Sequence, residues 1–219
     1  MNESIVSPPP SACGVPHRQA NNHPDSGTLR HSISKRLFDF FLALNGLALL
    51  CLPMLVIAAL IRITSKGPAL HWSKRVGRDN VLFLMPKFRT MRLDAPQLAT
   101  HLLANPNAYI TPVGAFLRKT SLDELPQLFS ILKGDLSFVG PRPALFNQDD
   151  LVALRTEYQI HKLMPGLTGW AQINGRDELT IPQKVEFERE YLRRRSFIFD
   201  VTVLLRTVTA ALRGGGISH

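Results

Sequence analysis

Residues 38–61 read FDFFLALNGLALLCLPMLVIAALI, and this apolar run constrains the fold more than any other part of the chain. As a helix it extends roughly 36 Å at about 1.5 Å per residue, enough to cross a hydrocarbon core. A single spanning helix is the ordinary reading, and two features oppose it. Pro53 sits mid-run, where it deletes a backbone donor and kinks or breaks a helix. Basic residues stand on both sides: Lys35 and Arg36 before, then Arg62, Lys66, Lys74, Arg75 and Arg78 after. Cationic flanks favour the cytoplasmic side, and here both flanks are cationic. A helix–break–helix hairpin that enters and leaves by one membrane face satisfies both features. A proline kink is also tolerated in spanning helices, so the residues alone leave the two topologies open.

The surroundings of this run are polar. Residues 1–32 are rich in Pro, Ser, Asn and Gly, lack apolar periodicity and are expected to form a disordered tail. The run starts too late for a signal peptide. A turn at 65–68 (SKGP) closes it. Beyond, short apolar runs alternate with turn signals. They predict a strand over 81–85 and helices over 93–103, 127–132, 149–163 and 181–195. Residues 165–176 (PGLTGWAQINGR) hold Gly166, Gly169 and Gly175 and are expected to be a structured loop. Residues 197–212 are amphipathic at helical spacing, fitting either a helix packed on the core or one lying in a membrane interface.

Chemistry concentrates in residues 118–142, RKTSLDELPQLFSILKGDLSFVGPR. The adjacent acids Asp123 and Glu124 stand among Arg118, Lys119, Lys133 and Arg142. Ser121–Leu122–Asp123–Glu124 also has the spacing of a capping box. Cap and active site remain equal readings on spacing alone. At a helix start the dipole would lower the pKa of both acids, leaving Asp123 ionised as nucleophile or metal ligand. Lys87 and Arg89 flank Phe88, as either a solvated strand face or a phosphate clamp. Gly140–Pro141–Arg142–Pro143 is a rigid turn presenting one arginine. Trp170 is a core aromatic, an interfacial anchor or a stacking surface. The chain carries 26 Lys and Arg against 17 Asp and Glu, a net charge of +9, which suits an anionic partner or simply a basic protein. Its two cysteines, Cys13 and Cys51, are poorly placed to pair, and no zinc-ligand spacing occurs.

KRLFD, SKGP, KFRTM, LRKTSLDELPQL, LKGDLSFVGPRP, PGLTGWAQINGR and RRRSFIFD, in this order and spacing, resemble the bacterial sugar transferase family of monotopic phosphoglycosyl transferases. The likeness runs from Lys35 to the C-terminus. With the disordered tail (1–32) outside it, the likeness implies an α+β, mainly helical fold: a re-entrant membrane helix (33–64) broken at Pro53, and a cytosolic catalytic domain (65–219) with interfacial amphipathic helices. Leu52 stands where the family often has a small hydroxyl residue before the proline, so the break would be stabilised differently here. By the same likeness Asp123 attacks the β-phosphate of a UDP-sugar, releases UMP and carries the phosphosugar. Glu124 assists undecaprenyl phosphate, which then takes the phosphosugar. Mg²⁺ would bind Asp123 and the diphosphate, with Lys87, Arg118 and Arg142 around the phosphate and Asp200, from a looser match, beside them. The implied location is the cytosolic face of a bacterial inner membrane, in contact with membrane lipid and without nucleic acid; homo-oligomerisation is left open. The stretch 176–184 (RDELTIPQK) looks more like members that use N-acetylated amino sugars.

The competing class is a membrane-anchored basic module that binds anionic lipid or nucleic acid, with the acid pair purely a cap. Against it, basic residues alternate with acids rather than forming one stripe with aromatics. A polytopic transferase fails because one segment alone is long enough to span.

Overall fold

The computed structural model describes residues 26–95, 108–175 and 178–212. The apolar run lies in α1, Ser26–Thr64, which would be about 58 Å long if straight. It takes in residues 26–32, which the sequence reading assigned to the tail. Helical structure continues through Pro53, so the expected break into two separate helices is not seen; α1 is one helix with a proline inside. Asp39, Ala43, Ile57 and Ile61 are buried, and Leu47, Leu50, Met54 and Ala58 are packed beside them. Steps of three and four residues put this set on one helix face along the whole run. The rest of the helix is apolar too, yet Leu49, Leu52, Leu55 and Ile63 are exposed.

Two short polar segments tie α1 to the globular domain. Arg36 donates to the carbonyls of Ile131 (2.5 Å) and Leu132 (2.7 Å) at the end of α3, Gln127–Lys133. Cations at a helix C-terminus satisfy orphan carbonyls there. Asp39 accepts from the Phe138 amide at 3.3 Å. At the other end Arg89 donates to the carbonyls of Lys66 (2.8 Å) and Ser65 (3.0 Å), closing the C-terminus of α1. The clamp reading of Arg89 is thereby corrected: its guanidinium is occupied with backbone.

Strands β1, Leu70–Val76, and β2, Leu82–Phe88, form an antiparallel hairpin. Asp79 and Asn80 turn it with φ of 54° and 61°, a left-handed conformation that Asp and Asn tolerate. The strand expected at 81–85 thus reaches Phe88; β1 was not anticipated. Register sets His71 opposite Lys87 and Arg75 opposite Phe83. β4, Ala144–Leu145, joins the free edge of β1. Of the helix expected at 93–103, Leu93–Ala95 form turn and bend, and the remainder lies outside the described residues. α2, Pro112–Lys119, was missed despite a clear start: Thr111 accepts from the Gly114 amide at 3.0 Å, with Pro112 at the first helical position.

The remaining elements build the main core. β3, Ser137–Val139, pairs in parallel with β5, Gly166–Thr168. A Cβ on Gly166 would lie 2.1 Å from the Gly140 nitrogen, so this approach requires glycine. The loop expected at 165–176 therefore contains β5 and a short helix, α5, Trp170–Ile173. The helix expected at 149–163 stops earlier, as α4, Asp149–Glu157. Gln159 turns left-handed (φ 61°) and a 3₁₀ turn drives Ile160 into the core. α6, Ile181–Arg194, opens on a Thr180/Gln183 capping box, and α7 spans Phe197–Leu212. Leu151, Ile160, Val185, Tyr191, Phe199 and Val203 bury together. α7 buries Phe199 and Val203, whereas Phe197, Leu205 and Val208, from the apolar face that helical spacing suggested, are exposed together with Ile198.

Candidate active site

Asp123 and Glu124 lie in a 3₁₀ turn, Leu122–Glu124, between α2 and α3. Ser121 enters it with φ 56° and makes no side-chain cap; α3 starts only after Pro126. The capping-box reading of the pair is therefore overturned. Pro126 lacks the amide that a helix starting at Ser121 would need, so the chain turns once before α3 begins. β2 packs against this turn.

Asp123 is buried, 5% exposed, and its Oδ1 has no hydrogen-bond partner among the described residues. Burial, with the adjacent Glu124, pushes its carboxyl up to about 6, against the pull of Lys87 and Arg118. The dipole argument predicted a lowered value. One isolated turn supplies little dipole, and desolvation of the charged form wins.

Cations line the turn from three elements. Lys87 comes from β2, where burial and then Arg75 hold its ammonium down to about 8, opposed by Asp123 and Glu124. Arg118, buried at the end of α2, donates through Nε to Thr90 Oγ1 at 2.9 Å. Arg142 donates to Glu124 Oε1 at 2.6 Å. The structure thus gathers Asp123, Glu124, Lys87, Arg118 and Arg142. It does not bring Asp200 to them by any described contact: Asp200 accepts from Lys35 (2.8 Å) and from the Tyr191 hydroxyl (2.7 Å), joining α1, α6 and α7. Lys133 pairs with Asp135 at 2.8 Å, and Lys119 is exposed. Trp170 belongs to the edge of the core, with its indole donating to Glu190 at 2.7 Å and its ring 5.0 Å from Phe199.

Arg75 is the site cation that the sequence reading placed only among the flanking charges. It sits beside Arg142 and Glu124; burial and then Arg142 lower its pKa to about 10, opposed by Glu124. Its Nη1 donates to the Pro143 carbonyl at 3.2 Å. The alternation of His71, Ser73 and Arg75 was a signal for a strand with a polar inner face, but it became informative only through the pairing with β2.

Two buried or half-buried acids inside a cluster of cations, on a domain carrying an exposed apolar helix, suit group transfer on an anionic substrate. Comparison with known proteins makes that class specific. The chain belongs to the bacterial sugar transferase family, whose profile matches residues 30–214. It is 40% identical over 189 residues to the uncharacterized sugar transferase EpsL of Bacillus subtilis, covering 85% of this chain and 91% of that protein. It is 39% identical over 203 residues to the UDP-glucose:undecaprenyl-phosphate glucose-1-phosphate transferase of Escherichia coli, covering 89% of this chain and 43% of that protein. The undecaprenyl-phosphate galactose phosphotransferase of Salmonella typhimurium is 35% identical over 198 residues, 83% of this chain and 41% of that one. The chain therefore spans nearly all of EpsL but less than half of these two phosphotransferases.

Proposed function

We propose that this protein transfers a sugar 1-phosphate from a UDP-sugar to undecaprenyl phosphate, releasing UMP and forming undecaprenyl diphosphate sugar at the start of surface glycan synthesis. The observation that carries the reading is Asp123: a buried carboxylate with an oxygen lacking any described partner, amid cations that suit a diphosphate. A carboxylate oxygen of Asp123 attacks the phosphorus that bears the sugar. The bond from that phosphorus to the UMP phosphate oxygen breaks, and UMP leaves. An oxygen of undecaprenyl phosphate then attacks the same phosphorus and displaces Asp123. A covalent intermediate divides one transfer between a soluble and a membrane-bound substrate into two displacements. Glu124, held by Arg142, assists the second acceptor. At its raised pKa of about 6 Asp123 is still about nine-tenths ionised at pH 7.

The donor set suits Mg²⁺. This ion takes one or two carboxylate oxygens and completes its shell with substrate phosphates and water. Asp123 Oδ1 offers one such oxygen, and no cluster of three or more acidic, His or Cys side chains occurs among the described residues. Bound there, Mg²⁺ would neutralise charge developing on the diphosphate.

The same reading puts the protein on the cytosolic face of the bacterial inner membrane, with α1 bending at Pro53 within its continuous helix so that both ends face that side. What supports this is packing: the Asp39–Ala43 end of α1 rests on α3 and β3, and its Ile57–Ile61 end on α2 and β2. Both ends of the apolar run hold one domain, while its outer face exposes large apolar side chains. The sugar is proposed only as a hexose or N-acetylated amino sugar.

The deciding experiment incubates the protein with undecaprenyl phosphate, Mg²⁺ and a panel of UDP-sugars and follows UMP. Turnover with at least one sugar is expected. Intact-protein mass spectrometry without the acceptor should show a phosphosugar adduct that Asp123→Asn lacks. Full activity of Asp123→Asn would remove it as nucleophile.

A further inference from the structure

Arg142 meets Glu124 from a turn that is gripped from behind. Arg155 on α4 donates through Nη2 to the Arg142 carbonyl at 3.0 Å. The same guanidinium donates to both carboxylate oxygens of Glu188 on α6, from Nε at 2.8 Å and from Nη2 at 2.5 Å. Both residues are buried. A buried ion pair loses most of its Coulomb gain to desolvation, and well-packed apolar side chains often serve stability as well. The arginine fork offers what apolar side chains lack: rigid donors that reach a carboxylate and a backbone carbonyl together. On the other side of the turn Arg75 donates to the next carbonyl, that of Pro143. Two consecutive carbonyls are thus held by two arginines; Pro143 fixes the backbone φ between them, and Pro141 fixes that of the residue before Arg142.

We infer that Arg155, oriented by Glu188, is a positioning residue that sets the Gly140–Pro143 turn so that the Arg142 guanidinium meets Glu124 and the substrate diphosphate. Neither Arg155 nor Glu188 touches substrate; both act through Arg142. The inference rests on the transfer reading above and adds a pair of residues from two helices that the sequence motifs leave out.

The test uses full-length protein and the double variant Arg155→Met/Glu188→Met, which exchanges the ion pair for apolar volume. Its thermal midpoint is expected to stay within roughly 5 °C of the parent, since such replacements are often neutral. Deuterium exchange in the peptide covering 140–146 should rise about tenfold, with kcat for UMP release down about 10- to 100-fold. The KM for UDP-sugar should rise several-fold, because a misplaced Arg142 holds the diphosphate less well. Loss of folded protein alone would lower kcat and leave KM where it was. A folded double variant with parental KM and parental exchange overturns the inference. If the double variant does not fold, Arg155→Lys decides: it keeps the charge but not the fork, and parental KM and exchange there overturn it equally. If the parent releases no UMP from any UDP-sugar, the transfer reading fails, and exchange of the turn alone decides the positioning, unchanged exchange overturning it.

Discussion

Arg142 Nη2 lies 2.6 Å from Glu124 Oε1, linking the rigid Gly140–Pro143 turn to the acid pair across 18 residues of chain. The contact gives Glu124 a fixed partner and leaves Asp123 as the acid with an oxygen that no described residue uses. Two adjacent carboxylates thereby have different environments and can take different roles.

Replacing Arg142 by lysine keeps a charge and loses the planar fork. Arg142→Lys is expected to lower the rate of UMP release about 100-fold, the scale of one lost transition-state donor. Steady-state kinetics at saturating UDP-sugar measures it; a change under threefold would mean the guanidinium geometry is unimportant.

The raised Asp123 and the lowered Lys87 bracket neutrality. Asp123 must be ionised to attack, and its pKa is about 6; Lys87 must be charged to hold phosphate, and its pKa is about 8. The kcat/KM for UMP release should therefore be bell-shaped in pH, with limbs near those values. Lys87→Met should remove the alkaline limb along with most of the activity.

Burial of Asp123 also sets a stability signature. Its folded pKa is raised from 3.8 to about 6, so the folded state binds the proton more tightly than the unfolded state. The stability tied to this proton is full below pH 4 and lost as pH rises through 6. The penalty at pH 7 is about 3 kcal/mol. Asp123→Asn should therefore melt several degrees higher than the parent at pH 7.5 in metal-free buffer, and at the same temperature as the parent at pH 3.5. Calorimetry across that range would show whether the difference follows the pH.

Asp200 on α7 binds Lys35 on α1 and Tyr191 on α6. Asp200→Asn breaks a buried ion pair, at a cost of about 3 kcal/mol. The melting temperature should fall roughly 6–12 °C while the KM for UDP-sugar stays unchanged. A raised KM with unaltered melting would instead make Asp200 a substrate ligand.

Topology is tested with Cys13, native to the tail, and with Lys74→Cys in a Cys51→Ser background. An impermeant maleimide should reach both from the cytosolic side of the membrane. Labelling from opposite sides would mean that α1 spans.

Elements whose signals are local were legible. The helices at 127–132, 181–195 and 197–212 were placed to within a residue of their observed ends, because apolar spacing and caps act within a few residues. Elements that depend on distant partners were not. β1 has no apolar alternation of its own and exists through pairing with β2 and β4. The extra length expected of α4 was cut by the left-handed Gln159, which lets Ile160 enter the core.

The sequence by itself determined the long apolar run, the acid pair and the family, since these reside in composition and in ordered motifs. Only the tertiary structure decided how the charges divide. Lys35 and Arg36 flank the apolar run like topology signals, but their side chains bind Asp200 and the end of α3. Arg89 and Lys87 are two residues apart, yet one caps α1 and the other faces Asp123. The sign of the Asp123 shift likewise waited for the fold. A helix dipole is a local property that spacing suggests, whereas desolvation depends on every element packed around the carboxylate, and here it is the larger effect.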